Sequence, residues 1–382
     1  MKHVTLVARI LVGGLFIFSG LIKANDPLGF QYKLDEYFDV FGAISGFHWM
    51  IWFKKISLAM SMFICVFEVA CGFATILGVF PKINAWLLLL MIVFFTWLTG
   101  YSALSGKVQE CGCFGDAIKL TPWQSFYKDL ILLFFILIIF IWKKTINPLF
   151  KKLKLNYSLV TFGLLFSCFF TWRAYAHLPW VDFRPYKIGT NIREKVSIPP
   201  GTPQDEYEII FKYRNGKNGE IKEFDMNHIP MDTFWHYVDR KDKLIKEGYK
   251  PPIHDFIITD DSGNPVTDTI LNNPDYNFWV VSYDMHHTDK SAFAKINELA
   301  KACDKEGIKI VGLTATPYDE LDPIRHELNA AFPFYYMDNV VLKTIIRSNP
   351  GIVLLKNSVT LGMWHANDVP SLEEVKKSYF KK

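Results

Sequence analysis

The 382-residue sequence has little cysteine and no concentration of charge of one sign. Six cysteines in this length are too few for a disulfide framework. The formal net charge is +4, and lysine and arginine are spread along the chain, so no basic stripe indicates a nucleic-acid partner. A dinucleotide fingerprint and a P-loop are missing too, so no nucleotide site is predicted.

Long apolar runs dominate the first half of the chain. Half of all residues are apolar while 21% are charged, which indicates a membrane part joined to a polar part. A helix needs about 20 apolar residues to cross a bilayer. We interpret the first run as a retained helix rather than a signal peptide, because further runs follow at once. The five predicted spans are Val4–Ile22, Ile56–Phe80, Ala85–Leu104, Leu130–Trp142 and Leu159–Ala176.

Lysine placement predicts the orientation of these spans. The densest lysine cluster follows the fourth span and is therefore assigned to the cytoplasm: Lys143, Lys144, Lys151, Lys152 and Lys154. Alternation then places the N-terminus inside. The loop before the fourth span and everything after His177 lie outside, in an oxidising compartment where disulfides persist. The sequence thus predicts a multi-pass inner-membrane protein with a periplasmic C-terminal domain.

The second half changes from helical to mixed patterning. Two short runs around an Asn-Gly-Lys-Asn-Gly turn predict a hairpin, and Met231–Glu247 is predicted to be a helix. A second hairpin is predicted at 254–269, and from Asn277 strands alternate with helices, which is typical of an α/β layer. The predicted domains are a transmembrane bundle at 1–145, a fifth transmembrane helix at 146–180, a linker with a hairpin-helix subdomain at 181–250, and an α/β domain at 251–382.

Cys111 and Cys113 form the only closely spaced cysteine pair. With one glycine between them they can form a dithiol, a small-ring disulfide or two ligands of a soft metal. A strained disulfide is easier to reduce, and labile disulfides tend to be catalytic or regulatory. A structural disulfide that pins the loop is the alternative. The sequence leaves both roles open.

Glu68 is an acidic residue in the middle of the second span. A carboxylate there is costly and usually faces the bundle interior with a partner, for which Arg9 is the candidate. Glu68 is a candidate to move a proton during thiol or quinone chemistry; a bond that locks two helices is the alternative. Cys65 and Cys71, on the same span, are predicted to pack in the core.

Motifs in the first 145 residues carry a family resemblance. Besides the string Cys111-Gly112-Cys113-Phe114-Gly115, they include Arg9, Gly14, Phe16, Ser19, Gly20, Lys23, Glu68, Gly72, Gly78 and Trp123. With these residues the region resembles the DoxX-like membrane proteins, within them the MauE-like branch named after methylamine utilisation. The resemblance implies a four-helix bundle associated with thiol-disulfide chemistry. Lys128-Asp129 stand where that family has Arg-Asn.

The last 130 residues resemble a second family. The hairpin at 255–266, the pair Phe278-Trp279 and Asn349-Pro350 before a strand are similar to thioredoxin-like, thiol-reductase-related domains. The resemblance implies a cis bond at Pro350 and an active site at the end of the first core strand. Tyr283-Asp284-Met285-His286-His287 stand where Cys-x-x-Cys is expected, so the domain is predicted to bind a partner rather than exchange thiols.

The same loop supplies the only cluster of histidine and aspartate. Asp284, His286, His287 and Asp289 are of types that suit zinc or copper, but no second group with convincing spacing accompanies them. No metal site is predicted. The candidate binding residues are Tyr283, Asp284, His286, His287, Asn349 and Pro350.

These features together predict a component of extracytoplasmic thiol-disulfide chemistry. Cys111 and Cys113 would exchange with a protein partner or a membrane quinone, and the thioredoxin-like domain would recognise the partner. The alternative is a non-catalytic scaffold or accessory subunit of a cell-envelope complex, with the outer domain as a binding module. A transporter is the weakest alternative, since no paired broken helices accompany Glu68.

Overall fold

The computed structural model describes residues 2–108, 112, 114–199, 201–203, 205–226, 228–230, 232–246, 248–249 and 251–380. The chain divides into two compact units. One comprises Met1–Gly189 with Ile257–Lys382, and the other comprises Thr190–Phe256. The first unit contains a helix bundle, residues 2–176, and what we call the C-terminal domain, residues 257–382.

Among its described residues, the bundle contains five helices that are long and apolar enough to cross a membrane. This confirms the predicted number of spans and identifies a multi-pass membrane protein. Their bounds are α1 Lys2–Asn25, α3 Ser57–Leu77, α4 Pro81–Ser105, α5 Pro122–Ile141 and α6 Leu153–Ala176, while α2, Pro27–Gly42, lies between the first two. Helix α2 begins at Pro27 with Asp26 as its N-cap, an arrangement favoured because proline lacks the amide hydrogen that the first turn cannot pair.

Small residues bring α1 and α3 together. A Cβ atom on Gly13 would lie 2.8 Å from the carbonyl oxygen of Gly72, and one on Gly72 would lie 2.7 Å from that of Gly13. Any larger residue would therefore separate the two backbones. Close backbone approach through small residues is how membrane helices gain packing energy without a hydrophobic driving force between them.

Polar contacts define the two ends of the bundle. At one end Arg9 donates to the carbonyl oxygens of Thr75, Ile76 and Asn147, which lie at the end of α3 and after α5. At the other end Asn25, the last residue of α1, bonds the backbone of Val181, which follows α6. This alternation agrees with the predicted order of spans; which end faces the periplasm stays a prediction.

The second unit contains a short helix, α7 Ile192–Val196, and a three-stranded antiparallel sheet in the order β2-β1-β3. Strands β1, Glu206–Asn215, and β2, Ile221–Asp225, confirm the first predicted hairpin. The predicted helix at Met231–Glu247 is wrong, because β3 occupies Trp235–Lys246. Its charged sequence has ordinary helix propensity, but pairing along the whole edge of β1 and ring contacts such as Phe224 with Trp235 override it.

The C-terminal domain is an α/β layer with a six-stranded mixed sheet in the order β4-β7-β6-β5-β8-β9. Strands β5, β6 and β7 are parallel, while β8 and β9 run antiparallel to their neighbours. The strands are β4 Ile258–Thr259, β5 Tyr276–Val281, β6 Lys309–Thr314, β7 Phe334–Met337, β8 Gly351–Lys356 and β9 Val359–His365. The helices are α8 Thr267–Leu271, α9 Ala292–Lys305, α10 Tyr318–Glu327, α11 Asn339–Ile345 and α12 Leu372–Tyr379.

Buried apolar residues of the central strands form the core of this layer. Strands β5 and β8 are buried almost throughout, as expected for strands covered on both faces, and Phe278 and Ile352 pack with Phe293 of α9. The predicted second hairpin is only partly present: Pro265 forms an isolated bridge with Thr259, but Thr267–Leu271 is helical. The Asn349–Pro350 bond before β8 is cis, as the resemblance implies.

Candidate functional site at the end of the helix bundle

The loop between α4 and α5 reaches the end of the bundle where α1 ends. Cys111 and Cys113, the predicted redox pair, lie outside the described residues; their neighbours Gly112 and Phe114 are described. Gly112 has φ +69°, and a Cβ there would lie 3.1 Å from Cγ of Lys33. A side chain is therefore disfavoured both by the left-handed backbone and by the space. We call residues 109–116 the Cys loop.

Phe114 fixes the second half of the Cys loop to the bundle. Its side chain is buried, and its ring lies 5.6 Å from that of Phe18 on α1. The Lys128 ammonium of α5 lies 5.2 Å from the Phe114 ring centroid, within the range of a cation–π contact. The described residues on both sides of position 113 are thus held by side chains of the bundle.

Arg347 of the C-terminal domain joins this end of the bundle. Its Nε lies 2.9 Å from Oδ2 of Asp26, and its Nη2 lies 3.4 Å from Oδ2 of Asp116 in the Cys loop. The Arg347 side chain is only 7% exposed. Burial alone would lower its pKa, but the carboxylates of Asp26 and Asp116 outweigh burial, so the pKa of Arg347 is raised and the cation is held.

Two tyrosines meet beside this arginine. The hydroxyl of Tyr32 on α2 donates to that of Tyr283 at 3.2 Å, and their rings meet edge to face. Lys343 lies 4.8 Å from the Tyr32 ring centroid. Burial, reinforced by Tyr283, raises the pKa of Tyr32 well above its usual value, so both phenols stay protonated. Tyr283, a predicted binding residue, is therefore in contact with the bundle.

Hydrogen bonds connect the remaining predicted binding residues. The Asn349 side chain accepts from the Ser282 hydroxyl at 2.9 Å and donates to the Asp284 carbonyl oxygen at 2.7 Å. It thereby ties the loop at 283–287 to Pro350. Burial alone would raise the pKa of Asp284, but hydrogen bonds from His287 and from the His286 amide outweigh it, and the pKa is lowered.

His286 and His287 keep more than half of their side chains exposed. His286 lies 2.8 Å from Glu320, and His287 lies 2.8 Å from Asp284. Within the described ranges no group of three histidine, cysteine, aspartate or glutamate side chains could hold a metal ion. Each of these two histidines is instead paired with a single carboxylate.

Glu68 is paired, but its partner differs from the prediction. Oε1 of Glu68 lies 2.5 Å from Nζ of Lys23, and both side chains are almost fully buried. Arg9 is not the partner: it lies 14 residues before Lys23 on α1, about 21 Å along the axis, and binds the carbonyl end of α3. Oε2 of Glu68 has no hydrogen-bond partner among the described residues.

A second ion pair lies near the first. Lys128 Nζ is 2.8 Å from Asp129, whose other oxygen accepts from the Thr99 hydroxyl at 3.0 Å. Both pairs line a cavity of about 50 Å³ within the bundle. The other lining residues are Leu15, Phe16, Ser19, Phe30, Lys33, Leu34, Tyr37, Ile64, Ile92, Phe94, Phe95, Leu98, Thr99 and Leu132. Lys33 and Lys128 connect this cavity to the Cys loop.

Cys65 and Cys71 are buried free thiols on α3, which confirms their prediction as core residues. The residues that the sequence did not reveal as a group are Asp26, Tyr32, Asp116 and Arg347. Asp26 before Pro27 has a helix-capping signature, and Arg347 lies two residues before the Asn-Pro pair. No sequence signal joins residues that are 321 positions apart.

Two family models match parts of the chain. Residues 1–143 match methylamine utilisation protein MauE, and residues 207–247 match a domain of unknown function, DUF8463. The first match spans α1 to α5 and confirms the resemblance inferred from the motifs of this region. The second spans most of the three-stranded sheet.

One curated relative adds to this comparison. The chain is 31% identical over 137 residues to Protein TlpB of Flavobacterium psychrophilum, and the match spans 35% of each chain. The chain therefore covers about a third of that relative's length. No solved structure matches this chain significantly. The chain is thus a multi-pass membrane protein whose first 143 residues are similar to the MauE family.

Proposed function

We propose that the chain takes part in thiol-disulfide chemistry at the outer surface of a bacterial inner membrane, through Cys111 and Cys113. The observation that carries the proposal is the placement of the described residues next to the pair. Gly112 and Phe114 pack against the bundle, and Asp116 bonds Arg347 close to the Asn349–Pro350 edge of the C-terminal domain. The described neighbours of the pair thus lie where the membrane bundle meets the proposed recognition domain.

The proposal includes a thioredoxin-like C-terminal domain. The order β6-β5-β8-β9, with β5 and β6 parallel, β8 and β9 antiparallel and α12 at the end, supports it. The cis bond before β8 supports it too. Since residues 283–287 contain no cysteine, the domain acts in recognition, and Cys111 and Cys113 carry the exchange. Its exposed His286 and His287 are the part of that loop open to a protein partner.

The proposed exchange needs two cysteine sulfurs in this chain and two in the partner protein. A thiolate of a reduced partner protein attacks one sulfur of a Cys111–Cys113 disulfide, and the other sulfur leaves as a thiolate. The partner's second thiolate then attacks the mixed disulfide. The partner ends oxidised to a disulfide and the pair ends as a dithiol, so two electrons pass to this chain. The reverse sequence reduces the partner.

A membrane quinone is the second proposed electron partner. The cavity offers suitable chemistry: the ammonium groups of Lys23 and Lys128 can donate to carbonyl oxygens, and Oε2 of Glu68 can accept from a hydroxyl. Its size of about 50 Å³ is not suitable, because a cavity that binds benzene has about 150 Å³. A quinone would fit only if the lining side chains moved apart. A protein thiol partner needs no such opening.

The test is a redox titration in native membranes. In a Cys168→Ser background, which removes the exposed thiol, Cys111 and Cys113 are titrated with glutathione buffers and counted by alkylation and mass shift. We expect two alkylation sites to appear at a potential near the poise of the compartment. A pair whose state is unchanged across the whole range would make the loop structural and favour the scaffold function.

Trapping of a partner provides the second readout. With Cys113→Ser, the Cys111 thiolate attacks the disulfide of an oxidised partner, one partner sulfur leaves as a thiolate, and the mixed disulfide is held because the resolving sulfur of this chain is missing. We expect a reducible adduct in this variant, and its absence in the double variant Cys111→Ser with Cys113→Ser. Co-purification of the same protein with the double variant would instead support a scaffold that binds without exchange.

A further inference from the structure

We propose that the outer edge of strand β3 binds a second copy of this chain, pairing antiparallel with β3 of that copy across a two-fold axis. We call residues 239–243, which would form the contact, the pairing segment. The inference goes beyond the proposed function, because it uses no cysteine and no residue of the helix bundle. In the dimer the three-stranded sheets of the two copies would form one continuous sheet.

The outer edge of β3 is long and open. Strand β3, Trp235–Lys246, pairs with β1 on one side and with no other strand among the described residues. Every residue after Trp235 in this strand is exposed, and none is proline. An edge strand presents unpaired N–H and C=O groups, and many proteins protect such an edge by shortening it, adding proline or covering it. Strand β3 has none of these three protections.

The backbone of the pairing segment is regular and faces the open edge at alternate residues. The register between β1 and β3 shifts on either side of this segment but not within it. The Arg240 amide donates to Oδ1 of Asp239 at 2.8 Å, whereas an amide of the ladder would donate to a carbonyl oxygen of β1. The backbone groups of Arg240 therefore face the open edge. Those of Asp242 do so too, because their direction alternates along a strand.

The alternation limits where a two-fold axis can lie. In an antiparallel pair, two opposite residues either both direct their backbone groups at each other or both direct them away. The axis must therefore pass beside a residue and not between two residues. With the axis at Lys241, Arg240 lies opposite Asp242 of the second copy, and Asp239 lies opposite Lys243 of that copy. Symmetry repeats both opposite-charge contacts, and only Lys241 meets its own kind.

The two neighbouring registers have poorer charge pairing. An axis at Arg240 places Arg240 against itself and Val238 against Asp242, so one opposite-charge contact is lost. An axis at Asp242 places Asp242 against itself and Lys241 against Lys243. Opposite charges across two strands stabilise a sheet, and like charges destabilise it. Charge complementarity therefore favours the axis at Lys241.

The experiment is disulfide cross-linking of the full-length protein in membranes. Cys111, Cys113 and Cys168 are replaced by serine, and the other three cysteines, at positions 65, 71 and 303, are buried. Lys241→Cys is expected to form a covalent dimer under mild oxidation. The Cα atoms of such a pair beside the axis lie about 4.5 Å apart, which is within the range of a disulfide.

The two flanking positions are the matched controls. In the proposed register Asp239 lies opposite Lys243 of the second copy, so each of these residues is about 14 Å along the strand from its own equivalent. Asp239→Cys and Lys243→Cys are expected to give no covalent dimer alone and a covalent dimer when the two variants are co-expressed. Equal cross-linking at all three positions, each alone, would indicate random collision and overturn the inference.

Mixed charge variants separate pairing between copies from stability within one copy. Asp242→Arg and Arg240→Asp each place like charges opposite each other in a homodimer. A mixed dimer of the two variants has opposite charges at all of these contacts. With Lys241→Cys in both chains, the mixed dimer is expected to exceed either homodimer by about fivefold or more after correction for random pairing.

Two further outcomes would overturn the inference: no covalent dimer from Lys241→Cys, or equal yields of the mixed dimer and the homodimers. All substituted side chains of β3 are exposed, so the fold is expected to tolerate them. If a charge variant is not produced, the three cysteine positions still decide. Every arm lacks Cys111 and Cys113, so the result is independent of the proposed thiol-disulfide function.

Discussion

Two buried cations differ in how their charges are paired: Lys23 inside the bundle, and Arg347 at the joint where the C-terminal domain meets Asp26 and Asp116. Lys23 has one carboxylate partner and donates to the Ser19 hydroxyl, and one oxygen of that carboxylate has no partner among the described residues. Arg347 has two carboxylates and a backbone carbonyl oxygen. The joint thus satisfies its charges more fully. A buried pair of the first kind is weak support for stability, which favours a functional reason for Glu68.

The largest loss of stability is expected from a substitution inside the bundle. Lys23→Met leaves the Glu68 carboxylate buried without a cation, a loss that typically amounts to about 3–5 kcal/mol. The measurement is thermal unfolding in detergent. The double variant Lys23→Met with Glu68→Leu is expected to recover most of the stability, because an apolar pair needs no solvation. A double variant as unstable as the single one would contradict this account.

Arg347→Met makes the equivalent change at the joint. Arg347→Met is expected to lose less, about 1–3 kcal/mol, because water can solvate the carboxylates left behind. Asp26 keeps 20% of its side chain exposed and Asp116 keeps 27%, against 3% for Glu68. Unfolding under the same conditions tests the order of the two losses. A larger loss for Arg347→Met would mean that the joint, and not the bundle interior, limits stability.

Gly29→Ala tests the space at the joint. The new methyl group would overlap Asp26 and crowd Arg347, and overpacking of this kind costs about 1–3 kcal/mol. Gly14→Ala on α1 is the control, since a Cβ there meets nothing within 4 Å. We expect that control to be neutral or slightly stabilising, as alanine favours helices. Equal unfolding temperatures for the two variants would show that Gly29 is not close-packed.

Acid should loosen the loop at 283–287 before it affects the bundle. The pKa of Asp284 is lower in the folded protein than in the unfolded chain. Its stabilising effect is therefore complete above the unfolded pKa of about 4 and is lost as pH falls through the lower folded value. Hydrogen exchange of the His286 and His287 amides at pH 6 and pH 3, expressed as protection relative to the intrinsic exchange rate at each pH, measures this. In Asp284→Asn the change in protection between the two pH values should disappear.

The smallest loss of stability is expected for an exposed ion pair of the C-terminal domain. Lys290 and Glu327 lie 2.7 Å apart with both side chains more than half exposed. Such pairs contribute about 0–1 kcal/mol, because water already solvates both charges. Lys290→Ala should leave the unfolding temperature unchanged. A clear loss would place this pair in a network with the joint.

Much of the architecture followed from local sequence. The apolar runs predicted five spans because a helix in lipid satisfies its own backbone, so length and hydrophobicity suffice. Strands and helices from Asn277 onward followed from alternating patterns and glycine or proline breaks. Strand β3, Trp235–Lys246, was predicted incorrectly as a helix, because its state depends on pairing with the edge of β1 and not on its own residues alone.

The sequence predicted individual residues of the site but not their partners. Composition and motif marked Cys111, Cys113 and Glu68, and the Asn349-Pro350 pair marked a special backbone position. The partner of Glu68 depended on which residue of α1 faces α3 at the same depth, and that residue is Lys23. The contact of Arg347 with Asp26 and Asp116 depended on how the C-terminal domain packs on the bundle. Local sequence determined most elements, with β3 as an exception, whereas the pairing between distant charges was decided by tertiary packing.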